Sequence, residues 1–356
     1  MRTLMAASLF WIGAGIVTAG PPAGSEAKKP EAKKLDAKKG ENGDPRPAIA
    51  PKEGIKTPGV QIPFANSKAE AQIPVETPGW ITIGEAVFIP NKSKDILVRV
   101  DSKTNKILDP VADLNKPCSG TVVAFGSLWI PNCGAQTVAR FDTKMNKVTA
   151  TLSIGAGDVT MGLAATADSV WILTDSKTTL SRIDPIQNEV VGELRLPAGC
   201  NSVASGEASL WVTCPSESRL LRIDPRTNLV DKWIDVSAGP RSVAFGGNSV
   251  WVLCEKDGKV ERIDPKTNKV IKTMELSVPN AGGNIAFGEG YVWVTQTGFP
   301  LTRIDPQNDK ERVAQQFWGQ GGGLVTVSPG AIWLSNTAQG TVSRLDPKRV
   351  IATLAE

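Results

Sequence analysis

The sequence predicts an all-β chain folded as a seven-bladed β-propeller with four-stranded antiparallel blades, and three observations lead there. An aromatic residue followed by a branched one recurs at Phe88, Trp129, Trp171, Trp211, Trp251, Trp293 and Trp333. An aspartate recurs in step with it, at Asp101, Asp142, Asp184, Asp224, Asp264, Asp305 and Asp346. The period is about 40 to 42 residues, the range in which one repeat supplies a four-stranded propeller blade.

The fifth copy, residues 239–276, is the clearest. It divides into expected strands at 241–245, 249–253, 259–263 and 269–275, separated by Gly-Gly-Asn, Lys-Asp-Gly and Asp-Pro-Lys-Thr-Asn. All three breaks are turn chemistry. In the Asp-Pro-x-Thr-Asn element the Asp side chain can accept from a backbone N–H two residues on. Proline presets a turn dihedral and Asn tolerates the left-handed region. One active site does not need seven copies of its acid, so these aspartates read as turn formers. The aromatic row reads as a set of wedges that pack each twisted sheet on the next.

At the start of the chain, a basic residue, an apolar run and small residues over 1–19 read as a signal peptide cleaved after Ala19, with a retained anchor as the alternative. Residues 20–57 are rich in Ala, Lys, Glu, Pro and Gly, with paired lysines such as Lys28 and Lys29, and read as a disordered linker. Residues 1–60 hold ten Lys/Arg and six Asp/Glu, which is the whole formal excess of +4. The remainder is balanced, so the basic surplus gives no reason to expect nucleic-acid binding by the folded part. The Lys-rich linker reads as a solubilising tether, or as a contact for an anionic cell-envelope polymer. No later segment is apolar and long enough to span a membrane.

The propeller is expected over 58–356 as one domain. Residues 71–75 resemble the outer strands of later copies, and residues 78–83 an innermost strand. Residues 349–354 also read as an outer strand. The ring should close at the last blade, with the N-terminal strand added to the C-terminal one or replacing it. The approaches to the sixth and seventh innermost strands, 280–284 and 318–323, are rich in glycine. There the backbone either turns tightly or comes close to a neighbour.

Cys118 and Cys133 flank the first hairpin of the second copy, and Cys200 and Cys214 take nearly the same places in the fourth. These points are adjacent in an antiparallel hairpin, so disulfides Cys118–Cys133 and Cys200–Cys214 are expected, in keeping with an exported protein. Cys254 matches Cys214, but Pro240 stands where its partner would be, leaving a free thiol or an intermolecular pair. The chain has no histidine. That removes Ser-His-Asp and Cys-His catalysis, histidine-ligated zinc and iron, and histidine-held haem. Calcium-loop, phosphate-loop and dinucleotide motifs are missing too, and no cofactor is expected.

A propeller places a site at the mouth of its central channel. Starts of innermost strands bring Trp80, Ser119, Met161, Asn201, Arg241 and Asn284 there, and the loops after the second strands bring Asn91, Asn132, Asp175, Glu255, Gln296 and Asn336. Both expected disulfides lie on this face. Arg241 with Glu255 is the best charged pair, as a site or as a rim ion pair. Trp80 and Trp318 are either stacking surfaces for a sugar or flat ligand or packing residues.

The repeat Gly-x-x-x-Val-Ala-Phe-Gly, Ser-Val-Trp-Val, Arg-Ile-Asp-Pro-x-Thr-Asn resembles the propellers of the streptogramin (virginiamycin B) lyase-like superfamily and the related periplasmic YncE-like and YVTN-repeat proteins. The resemblance covers about residues 71–356 and implies the seven-bladed fold. Lyases of that family open a cyclic depsipeptide with a channel-mouth histidine base and magnesium. This chain has no histidine to take that role, so no catalytic residue carries over. The expectation is a secreted or periplasmic, non-catalytic propeller that binds a protein partner or small ligand at the mouth. The alternatives are a lyase or hydrolase using carboxylates or a divalent metal (Mg or Ca), and a cell-envelope scaffold.

Overall fold

The computed structural model describes residues 60–111, 114–156, 161–175, 178–307 and 314–353. The signal-like and Lys-rich segments lie outside these residues. Seven antiparallel four-stranded sheets follow one another along the chain, the sixth with an added fifth strand. We name the strands A to D from the channel outward. In blade 5 they are Pro240–Gly246, Ser249–Cys254, Lys259–Asp264 and Lys269–Glu275, within one residue of the expected bounds.

Each blade is held to the next by the aromatic of its B strand. Trp129, Trp171, Trp211, Trp251, Trp293, Trp333 and Phe88 are all at most 1% exposed. Trp211 of blade 4, for example, shares a core with Val243, Val250 and Val252 of blade 5. Trp333 of blade 7 packs with Ile81, Val87 and Ile89 of blade 1, which closes the circle. Each described Trp wedge also donates its indole N–H to the turn five residues earlier, as Trp251 does to the Gly246 carbonyl at 3.0 Å. The ring therefore buries its polar edge without cost.

A second inter-blade device involves the arginine of Arg-Ile-Asp. Arg222 lies over the Trp211 ring at 5.3 Å, and its Nη1 donates to Pro265 O (2.7 Å) and Asn268 Oδ1 (2.9 Å), both in the Asp-Pro turn of the next blade. Arg182 does the same to Pro225 and Asn228, and Arg344 of blade 7 reaches Asn105 of blade 1. In blades 3, 4 and 5 a bulge in the C–D pairing falls between this arginine and the next residue. Such a bulge re-aims the strand locally.

The Asp-Pro turns form as the sequence chemistry requires. Asp101 Oδ1 accepts from the backbone N–H groups of Lys103 and Thr104, both at 2.8 Å. Asn105, Asn146, Asn188, Asn228 and Asn268 all have positive φ between 55° and 58°.

Ring closure corrects one expectation. The N-terminal strand Ala71–Pro74 pairs antiparallel with the last C strand, Thr341–Leu345, and supplies the D strand of blade 7. Residues 349–353 do not form an outer strand. Residues 349–352 belong to a helix, Pro347–Ala352, whose N-cap Asp346 accepts from Lys348 N and whose C-cap is Thr353. In the regular copies an Asn four residues after the Asp turns the chain back through the left-handed region. Here that place holds Val350, a β-branched residue for which positive φ is costly, and the helix runs on. Val350 is fully buried with Ile62, Trp293 and Leu345 between blades 6 and 7. A further strand, Val60–Pro63, pairs in parallel with Gln315–Trp318 as the fifth strand of blade 6.

Two predictions follow from this frame. Arg222→Ala removes charge-assisted bonds to the next blade and the cation–π contact, and is expected to destabilise by about 2–3 kcal/mol in urea unfolding. Arg222→Lys should recover only part, because an ammonium lacks the fork. Backbone hydrogen bonds hold the Asp101 carboxyl below its ordinary value, and bonds from Lys266 and Thr267 do so for Asp264. A depressed folded-state pKa contributes stability above the unfolded value of about 3.9 and loses it as pH falls through the folded one. Melting temperature should therefore drop below about pH 4, with a shallower slope in Asp264→Asn.

Candidate functional site

In blades 1 to 5 the A–B and C–D turns sit at one end of the ring, and the D–A and B–C connections at the other. The first end carries the Asp-Pro turns and arginine clips. The second carries both disulfides, Cys118–Cys133 and Cys200–Cys214, each tying the approach of an A strand to the end of its B strand. The candidate residues belong to this second face, and they fall in three places.

The first place is the central channel, a cavity of about 520 Å³ walled by the A strands. Trp80 (6% exposed) and half-buried Met161 line it, with Val123, Phe245, Phe287 and Val327 further down. Glycines make room for the rings: a Cβ on Gly206 would fall on the Phe245 ring, and one on Gly246 on that of Phe287. Two of its hydroxyls are bonded to the wall itself, Thr326 donating to Ile81 O at 2.6 Å and Thr82 to Thr121 O at 3.1 Å. The channel is therefore a largely apolar tube, with no charged side chain among the described residues of its wall.

Around the mouth, most polar candidates hold loops. Ser119 Oγ accepts from Gly162 N (2.8 Å), and Asn201 Oδ1 from Thr213 Oγ1 (2.9 Å). Asn284 is buried between blades, accepting from Val325 N and donating to Ser242 Oγ. Gln296 donates to Val278 O, and Asn336 accepts from Gln339 N. Asn91 and Asn132 likewise accept from backbone N–H groups. Arg241 and Glu255 do meet, at 3.1 Å, with side chains about one-third and one-quarter exposed (34% and 27%). Arg241 Nε also donates to Gly283 O in blade 6. A partly exposed pair of this kind is worth at most about 1 kcal/mol.

The glycine-rich approaches prove to be close packing as well as tight turns. Gly283 has φ 113°, and a Cβ there would land on the Thr295 carbonyl oxygen. Gly323 faces Ser335 O in the same way.

The third place was not foreseen as a site. Trp318 lies away from the mouth, in a pocket of about 410 Å³ between blades 6 and 7 whose wall Asn336 also joins. One wall is the chain between strands Val60–Pro63 and Ala71–Pro74, including a 3-10 turn at Phe64–Ser67. The other is the glycine-rich segment 319–322. Sequence offered only half of this pocket, because the N-terminal wall is remote in sequence from everything it touches.

Cys254 pairs in register with Pro240, is fully buried and is free. Burial, helped by the Glu261 and Asp257 carboxylates, pushes its thiol well above the ordinary range. Its position rules out an intermolecular pair and an activated nucleophile alike. Among the described residues no group of three or more Cys, Asp or Glu side chains is placed to share a metal ion, and no helix is long and apolar enough to cross a membrane.

Seven four-stranded blades around an apolar channel, with one clipped face and one built-up face, define a seven-bladed β-propeller of the streptogramin lyase-like fold. A streptogramin B lyase matches it over 77% of this chain and 94% of its own, with TM-score 0.66 and 18% identity. A virginiamycin B lyase from Staphylococcus aureus matches over 78% and 98%, with TM-score 0.66 and 16% identity. BamB from Moraxella catarrhalis matches over 75% and 84%, with TM-score 0.57 and 14% identity. At these identities the likeness is one of fold. No protein-family model and no curated protein matches the sequence.

The cysteine geometry gives a prediction. In the native protein at pH 8, a thiol reagent such as dithionitrobenzoate should find no reactive cysteine, and one after unfolding without reductant. Pro240→Cys should form a third disulfide with Cys254 in the register of Cys200–Cys214, adding about 3 kcal/mol by loop closure. Mass spectrometry of the unreduced protein and a melting curve check both.

Proposed function

We propose that this chain is an exported, non-catalytic binding propeller whose channel-mouth face takes a protein partner or small ligand. The observation that supports it most is the state of the mouth. Ser119, Asn201 and the Gln296 amide N–H are used in holding loops, and the one close charged pair among the described residues, Arg241 with Glu255, is mutually neutralised. General acid–base work needs a group poised to gain or lose a proton beside the substrate. Here the mouth offers shape instead: an apolar channel rimmed by Trp80, Met161 and the Arg241–Glu255 pair.

Two disulfides fit an oxidising compartment, and the N-terminal sequence reads as an export signal. Propellers of this fold include BamB and a chain of the mitotic checkpoint complex, the latter within a protein assembly. We read the Lys-rich stretch as a solubilising tether from its composition.

Two measurements test this. Incubation with a virginiamycin B-type cyclic depsipeptide and magnesium should give no linear product; turnover that disappears in Glu255→Gln would overturn the non-catalytic reading. In cells expressing the full chain, Met161→Glu at the mouth should lower the yield of cross-linked complex several-fold. Ile186→Glu, on the opposite face and 89% exposed, should leave it unchanged. Equal yields from the two variants would rule out the mouth as the contact.

A further inference from the structure

The pocket between blades 6 and 7 is built differently from the mouth. The junction it occupies is crossed twice by the described chain, once by the glycine-rich link from strand Gln315–Trp318 into blade 7 and once by the N-terminal segment passing from blade 6 to blade 7. Both crossings are fixed at each end by strand pairing, so the walls are preformed. Gly319, Gly321 and Gly322 all have positive φ between 107° and 146°. A Cβ on Gly321 would press on Asn336 Nδ2 at 2.9 Å, so side chains there would fill the space.

Its lining sorts into two groups. Ser67, Ser335 and Asn336 hold the walls: Ser67 Oγ donates to Phe64 O, Ser335 Oγ accepts from Leu324 N, and Asn336 accepts from Gln339 N. Gln72, Gln320, Gln339 and Lys68 line the same pocket, and their side chains make no hydrogen bond or ion pair to a described residue. Beside them is the half-buried Trp318 ring. Among the described residues no carboxylate lines it.

We propose that this pocket is a saccharide-binding site, separate from the channel mouth. The chemistry is a match of surfaces. A pyranose presents a face of C–H groups with slightly positive edges, which suits the negative face of an indole. Its rim of hydroxyls both donates and accepts, which suits primary amides, each carrying two donors and an acceptor. The Lys68 ammonium adds donors for a ring or glycosidic oxygen. A volume near 410 Å³ lies at the small end of ligand sites, about 300–1,000 Å³, and fits a mono- or disaccharide unit. The absence of acids from the wall favours a neutral sugar over a cationic ligand, and the polar rim disfavours a lipid tail.

The test is calorimetric titration of the purified full chain with diacetylchitobiose, cellobiose and maltose. At least one should bind saturably. Trp318→Ala should weaken it about tenfold, the scale of one aromatic contact, and Gln72→Ala with Gln320→Ala, both on exposed positions, should weaken it several-fold with the melting temperature unchanged. The glutamine variant decides the matter if Trp318→Ala fails to fold. Met161→Glu, which tests the mouth, should leave sugar affinity as it is. No binding of any of the three sugars, or equal affinity in the glutamine variant, would overturn the proposal without touching the mouth reading. Loss of sugar binding in Met161→Glu would overturn the separation of the two sites.

Discussion

Everything in this ring depends on how one blade grips the next, and the grip has two components acting at the same point. The B-strand Trp supplies apolar area, and the C-strand Arg lies on its face and reaches into the following Asp-Pro turn. The junction of blades 6 and 7 has the wedge without the clip, since Arg303 lies over Tyr291 and donates to Gln315 of its own blade. An indole between two twisted sheets sets distance but not rotation, whereas an Arg fork on a carbonyl and an Asn amide fixes both. Arg344 on Asn105 shows that the grip also spans the seam between the last blade and the first.

This division of labour decides where function can reside. The clip occupies the end of each blade with the A–B and C–D turns, so turn sequences there are constrained in nearly every copy. The opposite end carries no repeated clip and varies: a disulfide in blades 2 and 4, an ion pair in blade 5, glycine-rich loops before blades 6 and 7. Variation on that face is local loop engineering, and most of its polar groups are used for that purpose. What it leaves open is an apolar channel and one lateral pocket.

The frame was legible in the sequence because it is periodic. Seven aromatics and seven aspartates at constant spacing define strands, turns and wedges, and the cysteines paired where hairpin geometry put them. Arg140, Arg182, Arg222 and Arg262 recur just as regularly, yet their inter-blade role was missed: a charged residue in a strand reads as solvent-facing until the next blade's turn is in place. Arg241 and Glu255 could be paired from the sequence because one hairpin holds both. Whether Asn284 faces a ligand or a loop depends on contacts with the neighbouring blades, which no local pattern encodes. The lateral pocket was hidden for the same reason in stronger form, since residues 63–72 meet residues 318–343 only after the ring has closed.

The closure turns on one substitution in the repeat. Where five copies carry Asn at the left-handed position after Asp-Pro, the seventh carries Val350. Asn would allow the chain to reverse and lay down its own D strand, as it does in blades 1 to 5. Val resists positive φ, so Asp346 caps a helix instead and Val350 drops into the core between blades 6 and 7. The edge of Thr341–Leu345 is thereby left unpaired, an open edge that would invite association with other chains. Ala71–Pro74 fills it, bringing Ile73 and Val75 into the same core as Trp333 and Ile81. The strand that seals the ring must arrive from the N-terminus, and its path from Val60–Pro63 is the one that walls the lateral pocket. A seventh blade that laid down its own outer strand would have needed no such path, so the pocket goes with the way this ring closes.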